Sequence, residues 1–404
     1  MFSNPTILVS IPEACKQVLM YDENFVTGWP KATVALIGPK SFMAMPYEEH
    51  RRPHKLTAAP INVFDALTTY LGFIDRTVTA SLCSLSSSQS NQIEFLTELR
   101  RMTFKIIVQI FLGGASDATM RALERSCTDL NYGMSAMAID LPGFAYYKAL
   151  RARKKLVAVL QSMLDDRRKG VASMSSSVDM MDRLIQVEDE NGRRLRDDEI
   201  IDILIMYLNA GHESSGHITM WATVFFQENL EIFAKAKAEQ ETIMRSIPPT
   251  HKRRFCQGYL IPKGWKVQLW YTSMHMDPEV YSEPKKFNPS RWEAQTKLES
   301  TSVSQGLTPR AGTFLPFGLG ARLCPGNDLA KLEISVFLHH FLLGYKLTRA
   351  NPNCRIRYLP HHRPVDNCLA TITEVSRQYR FFKLPKPPTR AWTIVLYTKI
   401  KQTI

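Results

Sequence analysis

A chain of 404 residues, 45% hydrophobic and 22% charged, is long enough to bury a sizeable core. Its net charge of +13 favours anionic lipid or an acidic protein partner. With no zinc-finger spacing, RNA-binding aromatic motif or isolated Lys/Arg block, nucleic acid is set aside. The seven cysteines are sparse, odd in number and never spaced C-x-x-C, which excludes a disulfide framework and a structural zinc site and fits a reducing, cytosol-facing location.

Residues 6–11 predict a short strand, and Pro12 opens a helix through Met20. From about Glu48 to Arg168 apolar residues recur at helical spacing, as in Ile106, Ile107, Ile110 and Phe111. Serine-rich stretches at 84–90 and 173–177 read as loops. Leu141-Pro142-Gly143-Phe144 breaks two helices with an apolar turn, either a core-facing connection or a lip for substrate or membrane. A long helix is expected from Asp197 to Gln227, its acidic start suiting the positive end of the helix dipole. Asn229 is a candidate cap for a helix from Leu230 to about Arg245. A strand pattern follows from Tyr259 to Trp270, with a turn at 262–264, and then an irregular proline-rich stretch to Trp292. A helix from about Asn327 to Leu343 stops at Gly344, with short strands near 354–359 and 368–374. The expected fold is mainly α with small β-sheets, a single domain without internal repeats. No stretch reaches the ~18 apolar residues of a membrane span, and the N-terminus lacks a signal region. The polypeptide is therefore expected not to cross a membrane, although it can lie against one.

Two segments carry chemistry. In Phe317-Gly318-Leu319-Gly320-Ala321-Arg322-Leu323-Cys324-Pro325-Gly326, a lone cysteine sits in a glycine-rich loop directly before a helix. The helix N-terminus favours thiolate at Cys324. Gly320 and Gly326 let backbone approach a flat ligand, and Arg322 can neutralise a carboxylate such as a haem propionate. A thiolate axial ligand pushes electron density onto iron. Five specified positions would coincide by chance with odds of order 10⁻⁴ in such a chain. The second segment, Ala210-Gly211-His212-Glu213-Ser214-Ser215, lies within the long helix. A glycine there costs about 1 kcal/mol against alanine. Beside back-bonding hydroxyls it permits a widening that can hold O₂ and water. Glu213 followed by Ser214 offers an acid–alcohol proton relay. His212 and His217, five residues apart, show no third partner for a metal.

The cysteine segment fits F-x-x-G-x-R-x-C-x-G and so resembles the plant cytochrome P-450 family. The resemblance implies that family's fold, with haem b on Cys324 in a single haem-thiolate domain. It also implies O₂ as co-substrate and electrons from NADPH through NADPH–cytochrome P-450 reductase. By the same resemblance Phe317, Gly320, Arg322 and Gly326 border the haem, and Glu213 with Ser214 corresponds to the family's acid–alcohol pair. His275 and His50 fall where members contact the haem, His50 within Glu49-His50-Arg51-Arg52-Pro53-His54-Lys55-Leu56. In that segment His54 replaces an expected arginine, and Pro53 costs about 3 kcal/mol inside a helix.

Pro284-Lys285-Lys286-Phe287-Asn288-Pro289-Ser290-Arg291-Trp292 is similar to the segment whose arginine closes an ion-pair lock with an E-x-x-R helix. No E-x-x-R lies between Asn229 and Phe287, so a helix and a strand are expected to be missing near 252–258, leaving Arg291 without its carboxylate. The membrane anchor is expected to be absent, the domain to span 1–375, and 376–404 to form an atypical basic tail. The pattern is that of a truncated or alternatively spliced form. Residues 209–223, 324–345 and 363–370 resemble plant members that oxidise a small hydrophobic carboxylic acid, a diterpenoid, in gibberellin biosynthesis. The implied location is the cytosolic face of the endoplasmic reticulum membrane, by peripheral contact, or the soluble phase. Alternatives are a related monooxygenase acting on a sterol or triterpenoid, and a haem-poor chain acting only as a binding protein.

Overall fold

The computed structural model describes residues 6–21, 25, 28–45, 47–62, 64–87, 92–170, 179–243, 266–292, 313–359 and 361–376. Strand β1 (Thr6–Val9) leads into helix α1 (Pro12–Met20), which begins on its proline as expected. Helices α2 (Lys31–Ile37), α3 (Tyr47–Asn62) and α4 (Phe64–Ser87) follow. After β2 (Ile93–Glu94) come α5 (Phe95–Leu112), α6 (Asp117–Met134) and α7 (Ala145–Arg168). Then come α8 (Met180–Gln186), the long α9 (Asp197–Glu228) and α10 (Leu230–Ile243). Strand β3 (Lys266–Leu269), α11 (Tyr271–His275), α12 (Asn327–Gly344), β4 (Tyr345–Arg349), β5 (Ile356–Arg357), β6 (Arg363–Pro364) and β7 (Leu369–Glu374) complete the described chain. The mainly helical reading with small sheets holds.

Among the described residues the strands form three small sheets. β1 pairs with β3 in parallel, β7 lies antiparallel between β2 and β4, and β5 pairs with β6. The core belongs to helices α4 to α9 and α12. Helix α9 carries apolar residues on most sides and is buried over most of its length, and its 32 residues run about 48 Å. Two glycines let α5 come close to it. A Cβ at Gly211 would stand 2.9 Å from Ile107, and one at Gly216 would stand 3.1 Å from Arg100. Gly211 thus serves helix packing, and α9 runs through it as α-helix without the expected widening. Asp202 on α9 pairs with Arg153 of α7 and accepts the Lys40 N–H at 2.9 Å, tying α7 and the turn after α2 to the central helix. A smaller cluster of Val9, Ala14, Cys15, Met274 and Leu315 joins the first sheet to the segment entering the cysteine loop.

Several local expectations change. The serine-rich 84–90 begins as helix, because Ser86 and Ser87 donate back to the Cys83 carbonyl at 3.1 and 2.7 Å. Asn229 does not cap α10 with its side chain, which donates instead to the Phe225 carbonyl of α9 at 2.8 Å. Helix α3 continues through Pro53, where Thr57 donates to the Pro53 carbonyl at 2.8 Å. The 141–144 turn is exposed rather than core-facing, with Leu141 58%, Phe144 46% and nearby Met137 78% accessible. No single described helix is long and apolar enough to cross a membrane. The expected loop at 173–177, the turn at 262–264, the 252–258 region and the tail beyond 376 lie outside the described residues.

Candidate active site

The cysteine loop is built on the small cluster. Tyr281 donates to the Thr313 carbonyl at 3.0 Å, and the Leu315 N–H donates to His275 Nε2 at 3.0 Å. His275 therefore holds the segment entering the loop, and burial lowers its pKa. Its Nε2 is committed to backbone, so a carboxylate contact would fall to its other nitrogen. Gly318 and Gly320 turn the chain at φ +75° and +73°, a region that favours glycine. A Cβ at Gly320 would collide with the Leu19 carbonyl oxygen of α1. The protein's own packing thus already demands glycine at this position. Gly326 differs: a Cβ there would meet nothing within 4 Å, which leaves its face open to a flat group.

Between these glycines, a 3-10 turn at Gly320–Arg322 delivers Cys324 to the start of α12. The Cys324 N–H donates to the Phe317 carbonyl at 2.9 Å, fixing the loop across its neck. The Cys324 thiol is free and partly buried. Burial pushes it up in pKa, against the Gly326 N–H directed at the sulfur and the Lys331 ammonium. Burial thus outweighs the lowering by the helix end and by Lys331. Lys331 also lies over the Phe317 ring, 4.9 Å from its centroid.

Helix α3 flanks the loop with imidazoles. His54 Nε2 is 3.2 Å from the Leu323 carbonyl, one residue before Cys324, and its ring stacks on His50 at 5.1 Å. His50 is buried with Nδ1 lacking a hydrogen bond. Burial first, then the charges of Arg322 and His54, hold its pKa at about 4. Arg322 itself donates to the Met45 carbonyl at 3.5 Å. Positive potential from Arg322 and an unsatisfied ring nitrogen meet beside the cysteine.

Across from the loop, Tyr207 of α9 stacks on Phe111, donates to Thr57 at 2.9 Å and is close enough to sense the Cys324 charge. One and two turns on, the expected relay pair diverges. Ser214 is exposed and donates back to the Ala210 carbonyl at 2.8 Å. Ala210, Ser214 and the half-exposed Ile218 form an open stripe at four-residue spacing. Glu213, about 100° round the helix, is buried against Arg100 of α5 in an ion pair. His212 lies 3.5 Å and His217 3.7 Å from its oxygens. Burial would raise the carboxyl, but the His212 contact and the charges of Arg100 and His217 overcome it and hold Glu213 at about 2. It is a fixed carboxylate, and the structure does not bring it onto the face that carries Ser214.

Sequence reasoning missed three groups. Arg100 gives no local sign that it meets Glu213. His361 joins Glu213 and His217, placing three possible ligand atoms within 4.8 Å of one another. Glu333 of α12 is buried with neither oxygen hydrogen-bonded. Burial raises it to about 8, even though Ser215 is near enough to oppose the rise. Arg291, expected without its carboxylate, is half-buried and donates to the carbonyls of Ser282, Lys286 and Glu283 at 2.8, 2.9 and 3.2 Å, and no carboxylate pairs with it among the described residues.

The cytochrome P450 family model matches residues 1–255 and 255–357, in two pieces that meet at 255. Ent-kaurenoic acid oxidase of Oryza sativa subsp. japonica is 68% identical over 94% of this chain and 80% of its own length. Ent-kaurenoic acid oxidase 1 of Hordeum vulgare is 66% identical over 94% and 82%. The rice alignment runs over 418 positions, and 94% of 404 residues is about 380, so close to 40 of its positions meet no residue here. A 7,8-epoxymelianol synthase of Ailanthus altissima is 42% identical over 93% of the chain and 80% of its own. Among solved structures, a retinoic-acid-bound cyanobacterial cytochrome P450 superposes with a TM-score of 0.79 at 23% identity, covering 93% of this chain and 90% of that one. The chain belongs to the cytochrome P450 family, the monooxygenases that work with haem iron and electrons delivered by a reductase.

Proposed function

We propose that this chain is a haem b monooxygenase of gibberellin biosynthesis that oxidises ent-kaurenoic acid stepwise to gibberellin A12. Its electrons come from NADPH through NADPH–cytochrome P-450 reductase. The observation that carries the reading is the 68% identity with the rice ent-kaurenoic acid oxidase across nearly the whole chain. We place it at the cytosolic face of the endoplasmic reticulum membrane, where the exposed Met137, Leu141 and Phe144 give an apolar lip suited to peripheral contact.

The residues present fit a haem. Cys324 offers a half-buried sulfur at a helix start, and Gly326 leaves open space beside it. The orphaned His50 nitrogen and the Arg322 guanidinium suit the anionic propionates. Bound through a cysteine thiolate, haem iron supplies the activation of O₂ for oxidising an unactivated carbon. Cys324 is assigned as its ligand, and Arg322 with His50 as the propionate partners. Phe317 fixes the loop neck through its carbonyl, and His275 holds the entering segment. Ser214, on the open stripe of α9, is assigned to orient water and pass a proton at its hydroxyl. Glu213 keeps its charge inside and sets the field around that helix turn.

The domain extends over 1–375, with a segment missing near 252–258 relative to the family and a basic tail from 376 to 404. The division of the family match at 255 and the roughly 40 unmatched positions of the rice enzyme support the missing segment. The test compares the chain as written with one carrying a helix and strand inserted between Lys252 and Gly258. Haem content, the reduced carbon-monoxide-bound spectrum and products from ent-kaurenoic acid with reductase are measured. The repaired chain is expected to load haem and form gibberellin A12, the unrepaired one to do both poorly. A repaired, haem-loaded chain that leaves ent-kaurenoic acid untouched but oxidises a sterol or triterpenoid refutes the substrate.

A further inference from the structure

Glu213 and His217 stand one turn apart on α9, and the turn before β6 brings His361 to them. A carboxylate oxygen and two imidazole nitrogens then lie within 4.8 Å of one another. His217 Nδ1 is 2.7 Å from the Glu213 carbonyl. A carbonyl only accepts, so the proton sits on Nδ1 and Nε2 presents its lone pair. That Nε2 is buried without a partner, in a side chain 7% exposed. His361 Nδ1 is buried without a partner too, and the two ring centroids are 4.8 Å apart. Buried polar atoms are ordinarily satisfied, so two orphaned imidazole nitrogens beside a carboxylate need an explanation.

We propose that Glu213, His217 and His361 form a site for a divalent cation of the zinc type, separate from the Cys324 site. Two imidazoles and one carboxylate make a zinc donor set with a fourth position left for water. The His217 N–H donated to a backbone carbonyl is the outer contact that orients such a ligand. Arg100 pairs with Oε1 of Glu213, so Oε2 remains for the cation. Tetrahedral bonds of about 2.0–2.2 Å put ligand atoms about 3.3–3.6 Å apart. The set reaches that spacing through a shift of about an ångström, most readily by His361, which is only partly buried and lies outside the helices. The neighbouring Arg100 charge weakens binding, so micromolar affinity is expected rather than that of a structural zinc site.

The full chain is dialysed to equilibrium against micromolar zinc and its metal content measured; the readout needs no haem. One equivalent is expected, with X-ray absorption showing nitrogen and oxygen ligands and no sulfur. His361→Ala and His217→Gln should each weaken that equivalent by about 100-fold, while His362→Ala, the exposed neighbour, should not. Circular dichroism of His361→Ala checks that loss of metal is not loss of fold. If the parent takes up no zinc, if its zinc is bound by sulfur, or if folded His361→Ala keeps full affinity, the site does not exist.

Discussion

Replacing Arg100 with leucine tests whether the Glu213 carboxylate is held by charge. The two side chains are 13% and 5% exposed, so water screens their pair poorly. Glu213 falls from 4.5 to about 2, because the His212 contact and the charges of Arg100 and His217 outweigh burial. At about 1.36 kcal/mol per pKa unit that depression contributes roughly 3 kcal/mol. A depressed carboxyl stabilises the fold above its unfolded pKa. The contribution is therefore complete above about pH 4.5 and lost as pH falls toward 2. Removing Arg100 leaves burial uncompensated, and breaking one side of such a pair typically costs about 3–5 kcal/mol. Urea unfolding at pH 7 should show a loss of that size for Arg100→Leu, and the variant's stability should fall less between pH 4.5 and 2 than the parent's does. Glu213→Gln in the same background should recover part of the loss, since no buried charge then remains. A loss below about 1 kcal/mol at pH 7, or an acid limb identical to the parent's, would refute the account.

Glu333 should behave in the opposite sense. Its pKa is raised to about 8 by burial, so the parent loses stability as pH rises from about 4.5 through 8, and Glu333→Gln should remove that alkaline loss, worth up to about 5 kcal/mol, in unfolding curves taken across this range. Gly320→Ala should destabilise the haem-free chain by about 2–4 kcal/mol, through positive φ and collision with the Leu19 carbonyl, whereas Gly326→Ala should leave its thermal unfolding unchanged and lower only haem content. Ser214→Ala in a repaired, haem-loaded chain should keep fold and substrate binding but divert NADPH to peroxide and water; unchanged coupling of NADPH use to product would remove Ser214 from proton handling.

Helices α1 and α12 and the cysteine loop were legible in the sequence because their causes are local. Pro12 starts one helix, apolar spacing writes the next, and glycines with an arginine and a cysteine specify a loop whose chemistry depends on neighbours in the chain. The same local pattern was enough to identify the family. It could not say which way Glu213 and Ser214 face. Adjacent residues on a helix point about 100° apart, and which direction is interior depends on what packs there. Arg100, 113 positions from Glu213, and the close approach of α5 at Gly211 and Gly216 made that choice. His212 and His217 alone argued against a metal, and only chain return before β6 brings in His361. That Gly320 is also required by the Leu19 carbonyl packed against it could not be read from the loop alone. Arg291, expected without its carboxylate, donates to three carbonyls of its own loop, which the sequence did not indicate. Propensity, periodicity and loop chemistry act over a few residues and leave a trace in the chain; burial and pairing across a hundred residues arise only when helices pack, so tertiary structure alone decides them.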